Sequence, residues 1–277
     1  MRNLILTLLL LVALAPSLSG QGGNKQIACC GQGSAAWLEG NVYVLTVFLS
    51  ETSQGNYTSH WTKAETDEWF RQLYEAEAWL QRQAARYGKK VSFSGGYYGL
   101  SPAVYVDYIA PGAGVGNERT DWVSVALAAV GYRSTMEFQS WVESNTDCQS
   151  ALVMVVADKP GRSYAMVYDR VYDRERYFVE GVMYYMQYSD GRDQYASSIA
   201  HEICHVFGAD DLYATFAQSA QTEAVARQYF PNDIMHRISP NINDLNIGPF
   251  TAWLMGLSDR EESWYRSLLP SSRLRQR

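Results

Sequence analysis

The chain has 277 residues and a formal net charge of −6, and 47% of its residues are hydrophobic and 19% charged. A mildly acidic chain without a basic stripe is not expected to bind nucleic acid, while this hydrophobic share can form a sizeable core. Four cysteines are too few for a scaffold of this size built on disulfides.

The N-terminal segment has the pattern of a secretory signal peptide. Arg2 precedes an apolar run from Leu4 to Ala15, which is followed by Pro16 and small residues. The run is shorter than the about 20 residues of a membrane-spanning helix, and no later stretch is long and apolar enough. We therefore expect residues 1–20 to be a signal peptide, residues 21–40 to be an N-terminal extension, and the protein to be secreted or periplasmic without a membrane span.

The next segments alternate between strand and helix. β-Branched and aromatic residues from Asn41 to Leu49 are typical of a buried strand. An amphipathic helix follows from about Lys63 to Tyr87, with Thr62 or Thr66 as its N-cap. A second strand begins at Lys90 to Phe93. This order predicts a crossover that places both strands in one mixed or parallel sheet.

The middle of the chain predicts more helix and then further strands. Asp121 to Glu143 is mostly helical with a break near Gly131, and Ala151 to Ala157 is a buried strand. Two further strand candidates are Tyr164–Tyr168 and Tyr177–Tyr185. Strands in the first part of the chain and helical stretches near its end predict an α+β fold.

Residues 201–211 read HEICHVFGADD. His201 and His205 are four residues apart in a helical pattern, so both imidazoles lie on one face and can bind a single metal ion. Glu202 is rotated by about 100° from His201 and can reach a metal-bound water without being a ligand. Zinc suits this arrangement because it accepts nitrogen and oxygen donors and leaves a position for water. The alternative is a polar helix end with two hydrogen-bonded histidines.

A third ligand is expected shortly after the helix. Gly208 can adopt a left-handed conformation and turn the chain, so that Asp211 arrives where the ligand is needed. The spacing favours Asp211. Asp210, one residue out of register, and the remaining histidines His60 and His236 stay open as alternatives.

The pattern His201-Glu202-x-x-His205-x-x-Gly208-x-x-Asp211 resembles the extended zinc motif of the metzincin metallopeptidases. Most members have histidine at the last position, and aspartate there is similar to the snapalysin-like branch. Downstream, the segment from Asn232 to His236 resembles the metzincin Met-turn, in which a methionine, here Met235, packs beneath the metal-binding histidines. Some members place a tyrosine two residues after that methionine; this position is Arg237, and Tyr213 is a candidate substitute.

The resemblance implies a metzincin-like mixed twisted sheet with backing and active-site helices and a helical C-terminal subdomain. One metallopeptidase domain would cover residues 41–277, with a sheet subdomain over about 41–208 and a helical subdomain over about 209–277. The implied function is that of a secreted zinc-dependent endopeptidase that hydrolyses peptide bonds with a metal-bound water. In this clan a protein or peptide substrate lies along an exposed edge strand, for which Tyr164–Tyr168 and Tyr177–Tyr185 are the candidates.

The same resemblance implies a role for each site residue. His201, His205 and Asp211 would hold Zn2+, Glu202 would be the general base and then the general acid, and Met235 would form the Met-turn. One alternative is a non-catalytic secreted zinc-binding protein with a metzincin shell, against which the intact Glu202 speaks. Another is a structural zinc site, which three ligands beside a glutamate disfavour because they describe an open site.

Overall fold

The computed structural model of the protein describes residues 35, 37–51, 61–105, 122–167, 179–215 and 218–270. The predicted signal peptide, most of the predicted extension and His60 lie outside these ranges. None of the helices within them combines the length and the apolar character that a membrane-spanning helix requires.

In the part of the chain that the structure describes, six strands form one mostly parallel sheet. They are β1 (Gly40–Glu51), β2 (Val91–Tyr98), β3 (Val104–Tyr105), β4 (Ser150–Pro160), β5 (Tyr164–Met166) and β6 (Glu180–Gln187). The sheet order is β2-β1-β4-β6-β5, and the short β3 pairs with the end of β1. All pairs are parallel except β5 with β6. The parallel pairing of the first two strands confirms the predicted crossover.

Within the described residues, six α-helices accompany the sheet. They are α1 (Lys63–Arg86), α2 (Trp122–Ala129), α3 (Thr135–Asn145), α4 (Ala196–Val206), α5 (Ala220–Tyr229) and α6 (Pro249–Leu254). The helical region after residue 121 is broken, as predicted, at Gly131, where φ is +101°. Together with the sheet, these helices confirm the predicted α+β fold.

The long helix α1 begins at a capping box. The Thr62 hydroxyl accepts a hydrogen bond from the Glu65 backbone N–H, and the Glu65 carboxylate accepts one from the Thr62 N–H. Thr62 is therefore the N-cap, and Thr66 is the alternative that the structure does not use. The buried face of the helix carries Trp69, Leu73, Ala76, Leu80 and Ala84.

Both faces of the sheet are covered. Alternate β1 residues such as Val42 and Val44 pack into a core with α1 and α4, while Tyr43 and Leu45 pack into a second core with α2 and α3. This explains why β1 and β4 are continuous apolar runs. Residues of the C-terminal region, including those of α6, belong to the same core as α1 and α4. The predicted sheet and C-terminal parts therefore share one hydrophobic core.

The sheet order separates the two candidates for the edge strand. β5, from the segment predicted at Tyr164–Tyr168, is the last strand of the described sheet, whereas β6, from Tyr177–Tyr185, lies between β4 and β5. Helix α4 packs against both of these strands. The HEICH sequence is therefore located next to the antiparallel edge of the sheet.

Candidate metal centre

The two histidines lie close together on α4, as the helical spacing predicts. Their ring centroids are 4.8 Å apart and the rings are nearly perpendicular, at 87°. His201 is buried and His205 is partly buried. Both belong to the last two turns of the helix, which ends at Val206.

Hydrogen bonds fix the orientation of both imidazoles. Nδ1 of His201 lies 2.9 Å from the carbonyl oxygen of Ile234, and Nδ1 of His205 lies 2.9 Å from the carbonyl oxygen of Ala209. A carbonyl oxygen only accepts, so each Nδ1 carries the hydrogen and each neutral ring has its lone pair on Nε2. Histidines that bind metals are oriented in the same way by donation from the other ring nitrogen.

The turn after α4 is built on Gly208, where φ is +98°. The Gly208 N–H donates to the carbonyl oxygen of His205 and the Ala209 N–H to that of Cys204, which is the Schellman arrangement. A residue with a β-carbon is strained at this φ. The turn brings the Ala209 carbonyl to His205 and reverses the chain toward the helix, as the sequence predicts.

Asp211 completes a group of three ligand atoms. Its Oδ1 lies 3.3 Å from Nε2 of His201 and 3.1 Å from Nε2 of His205, and the three atoms lie within 4.8 Å of one another. Neither Asp210 nor His236 belongs to this group among the described residues. The structure therefore groups Asp211, and neither of these two alternatives, with the histidines of α4.

The donor set fits a metal ion. Asp211 Oδ1 is buried without a hydrogen-bond partner, and Nε2 of each histidine, which carries a lone pair in the neutral ring, lies 3.1 to 3.3 Å from it. A buried acceptor of this kind calls for a cation or added protons. Two imidazoles and one carboxylate suit zinc, although the same set also binds other transition metals.

The metal-free group is electrostatically coupled. Burial lowers the pKa of His205, but the charge and hydrogen bond of Asp211, the charge of Glu202 and the Ala209 carbonyl together outweigh it and raise that pKa from 6.5 to about 9. Burial likewise raises the pKa of Asp211, but the charges and hydrogen bonds of His205 and His201 together outweigh it and hold that pKa well below its usual range. In the metal-free protein the raised pKa of His205 favours its protonated form, so a proton supplies beside Asp211 the positive charge that a metal ion would supply.

Glu202 is buried beside the ligands and lines a cleft with His201. Burial raises its pKa above the usual value, and the charges of His201 and His205 act in the opposite direction. Glu202 is not one of the three grouped ligands. Its position at the cleft is consistent with a group that exchanges protons with a bound molecule.

Met235 lies in a turn that contacts both parts of the motif. It is fully buried in the core shared with α4. Its carbonyl oxygen accepts a hydrogen bond from the Leu212 N–H, directly after Asp211, and the preceding Ile234 carbonyl accepts from His201. The turn therefore links the helix that carries the histidines to the segment that carries the aspartate.

The buried carboxylate of Asp233 holds this turn in place. It accepts hydrogen bonds from the Met235 N–H, the Gly248 N–H and the Thr251 hydroxyl, each at 2.8 Å. Burial raises the pKa of Asp233 to about 6, against the effect of these three donors. The sequence motif included Asp233, but no role was predicted for it because its partners lie up to 18 residues further along the chain.

Tyr213 and Arg162 complete the cleft, whose volume is about 380 Å³. The Tyr213 ring lies beside His201, with centroids 6.2 Å apart. Arg162 comes from the connection between β4 and β5, and no sequence signal identified it. No protein-family model matches this chain, and no curated protein matches it.

Proposed function

We propose that the protein is a secreted zinc-dependent endopeptidase. The observation that supports this most is the convergence of His201, His205 and Asp211 beside Glu202, at a cleft that is open to a substrate. A closed structural site would hold four protein ligands. Three ligands, an acid next to them and an adjoining cleft favour chemistry over a purely structural role.

The substrate would lie along β5. This strand forms the edge of the described sheet and pairs only with β6 there. An extended peptide can add to such an edge through its backbone hydrogen-bonding groups. Because α4 packs against β5, a peptide bound in this way would pass the cleft that Glu202 lines.

Zinc, when bound, would polarise the substrate carbonyl and make water more acidic. Glu202 would accept a proton from the attacking water at its carboxylate and pass it to the nitrogen of the leaving amine. Burial raises the pKa of Glu202, which makes its carboxylate a stronger base than that of an exposed glutamate and favours the first transfer. The Ile234 and Ala209 carbonyls hold the two imidazoles in one orientation throughout.

Zinc quantification combined with cleavage of casein and gelatin tests this function. Wild type is expected to bind zinc and cleave, while Glu202→Ala keeps the zinc and loses roughly 100-fold to 10,000-fold in rate. Glu77→Ala is the matched control, because burial also raises the pKa of Glu77, to about 7, but this partly buried glutamate lies outside the cleft. Zinc in wild type and Glu202→Ala without cleavage by either would instead indicate a non-catalytic zinc-binding protein.

A further inference from the structure

Arg162 is a cation at the cleft, and we infer that it forms a subsite for a carboxylate of the substrate, next to the bond that is cut. This inference rests on the proposed peptidase function and adds a substrate class to it. Arg162 is exposed and lines the cleft together with His201 and Glu202. Within the described part of the chain it makes no ion pair.

The backbone on both sides of Arg162 is fixed. The Gly161 N–H donates to the carbonyl oxygen of Gln187 at 2.9 Å. The Ser163 hydroxyl accepts hydrogen bonds from the Tyr185 N–H and the Gln194 side chain, at 3.1 and 2.8 Å. A β-carbon at Gly161 would lie 2.4 Å from the Tyr185 ring, so only glycine fits there. Arg162 is therefore an exposed side chain on a well-anchored connection.

The other charges around the cleft are balanced. Arg192 and Asp190 form an ion pair with each other at 2.8 Å, so they add no net charge. A divalent metal ion together with Asp211 and Glu202 is neutral as well. Arg162 consequently leaves the cleft with one excess positive charge, which favours an anionic group over a neutral or cationic one.

Arg162 is also within electrostatic range of the reacting groups. Burial raises the pKa of Glu202 and of Tyr213, and the charge of Arg162 acts in the opposite direction on both. Guanidinium is well suited to a carboxylate because its fork of N–H donors can bind both oxygens. A carboxylate bound by Arg162 would therefore lie near the general base without displacing it.

This carboxylate has two possible sources, an aspartate or glutamate side chain or the free α-carboxylate at the end of a peptide. The cleft volume of about 380 Å³ accommodates a side chain, and Tyr188 and Ile238 contribute to its walls. The first source predicts endopeptidase cleavage beside acidic residues. The second predicts removal of residues from the C-terminus.

Binding to zinc-loaded Glu202→Ala protein tests the subsite without relying on turnover. The probes are fluorescein-labelled hexapeptides that carry Glu, Gln or Lys at each central position in turn, with a free or an amidated C-terminus. At low salt the best Glu peptide should bind roughly fivefold to tenfold more tightly than its Gln counterpart, and the difference should shrink at high salt. A preference that depends on the free C-terminus instead identifies the α-carboxylate as the ligand.

Further substitutions in the Glu202→Ala protein test whether Arg162 causes the preference for Glu peptides. Arg162→Gln should abolish it, and Arg162→Glu should reverse it in favour of Lys. The double substitution Asp190→Asn with Arg192→Gln is the matched control, since it removes a neutral ion pair from the same cleft, and it should leave the preference intact. Unchanged zinc content and circular dichroism establish that the variants are folded.

The outcomes separate this inference from the proposed function. Equal binding of Glu and Gln peptides, with either C-terminus, overturns the subsite, even if wild type cleaves casein. A carboxylate preference that survives Arg162→Gln overturns it as well. A preference lost in Arg162→Gln supports the subsite even where wild type cleaves nothing, in which case it is the peptidase function that fails.

Discussion

His201 donates a hydrogen bond from Nδ1 to the backbone carbonyl oxygen of Ile234, at 2.9 Å, and this bond joins two motifs that lie 33 residues apart in the sequence. The ring orientation of His201 is therefore set by the turn that contains Met235. The Ile234 carbonyl is a backbone group, so its position depends on the interactions that stabilise this turn. Asp233 is the residue that provides them.

Replacing Asp233 should weaken both folding and metal binding. Asp233→Ala leaves three buried donors without an acceptor, at a cost of roughly 3 kcal/mol or more in the free energy of unfolding. Thr251→Val removes only one of the three bonds and should cost about 1 kcal/mol. Urea unfolding of the metal-free proteins measures both effects, and equal losses in the two variants would argue against the central role of the carboxylate.

Asp233→Ala should also lower zinc affinity, by roughly tenfold to 100-fold, as expected when a residue that orients a metal ligand is lost. Competition with a chelator of known affinity measures this, for Asp233→Ala and Thr251→Val in parallel. If Asp233→Ala binds zinc as tightly as wild type, the turn does not control the orientation of His201.

Gly208→Ala should lower both the stability of the protein and its affinity for zinc, and a control glycine separates these two effects. At a φ of +98°, alanine costs about 1 kcal/mol or more of stability. Gly131→Ala is the matched control, because φ there is +101° and nothing lies within 4 Å of an added β-carbon. Both variants should lose similar stability in thermal unfolding. Only Gly208→Ala should lose zinc affinity, since the turn at Gly208 positions Asp211 and the Ala209 carbonyl.

Periodicity and local capping signals were sufficient to predict most of the fold. The β1 segment and α1 have long, regular patterns, and the Thr62 cap lies within a few residues of the helix it begins. The sheet order was not predictable, because pairing between distant strands depends on packing that no local pattern encodes. This is why the sequence left two candidates for the edge strand, and only one of them lies there.

In the candidate site, too, contacts between residues close in sequence were predictable and contacts between distant segments were not. His201, His205 and Asp211 are close in sequence, so helical geometry and one glycine turn were enough to predict their grouping. Arg162 reaches the cleft from the connection between β4 and β5, and Thr251 reaches Asp233 from α6. Such contacts between distant segments arise only from the tertiary fold, and the sequence carried no signal for them.

Zinc binding should release a proton, and the affinity should depend on pH accordingly. In the metal-free protein the pKa of His205 is raised from 6.5 to about 9, so His205 is protonated at pH 7 and zinc must displace that proton. The apparent affinity should therefore rise about tenfold per pH unit up to about pH 9. Calorimetry in buffers with different ionisation enthalpies measures the protons released. His236→Gln should show the same slope, because His236 is outside the group, and a slope of zero in wild type would contradict the coupling.

The raised pKa of His205 also makes the stability of the metal-free protein depend on pH. A histidine whose folded pKa is raised contributes stability that is complete below its unfolded pKa of 6.5 and is lost as the pH rises through about 9. Urea unfolding in the presence of a chelator should therefore show a decrease between these pH values. His205→Gln should remove this decrease, and a variant that retains it would assign the effect to another group.

Tyr213→Phe should reduce the catalytic rate more than substrate binding. Tyr213 lines the cleft beside His201, and burial together with the charge of Asp211 raises its pKa, so its hydroxyl stays protonated and able to donate at neutral pH. A donor at this position can stabilise negative charge that develops on the substrate oxygen, a contribution of roughly 100-fold where it has been removed in other hydrolases. We expect kcat to fall by roughly tenfold to 100-fold with KM nearly unchanged, as for a contact made only in the transition state. Tyr188→Phe is the control, since its hydroxyl lies in the same cleft but pairs with Ser198 at 2.8 Å, whereas that of Tyr213 interacts with Asp211. A rise in KM with constant kcat in Tyr213→Phe would instead make Tyr213 a substrate-binding residue.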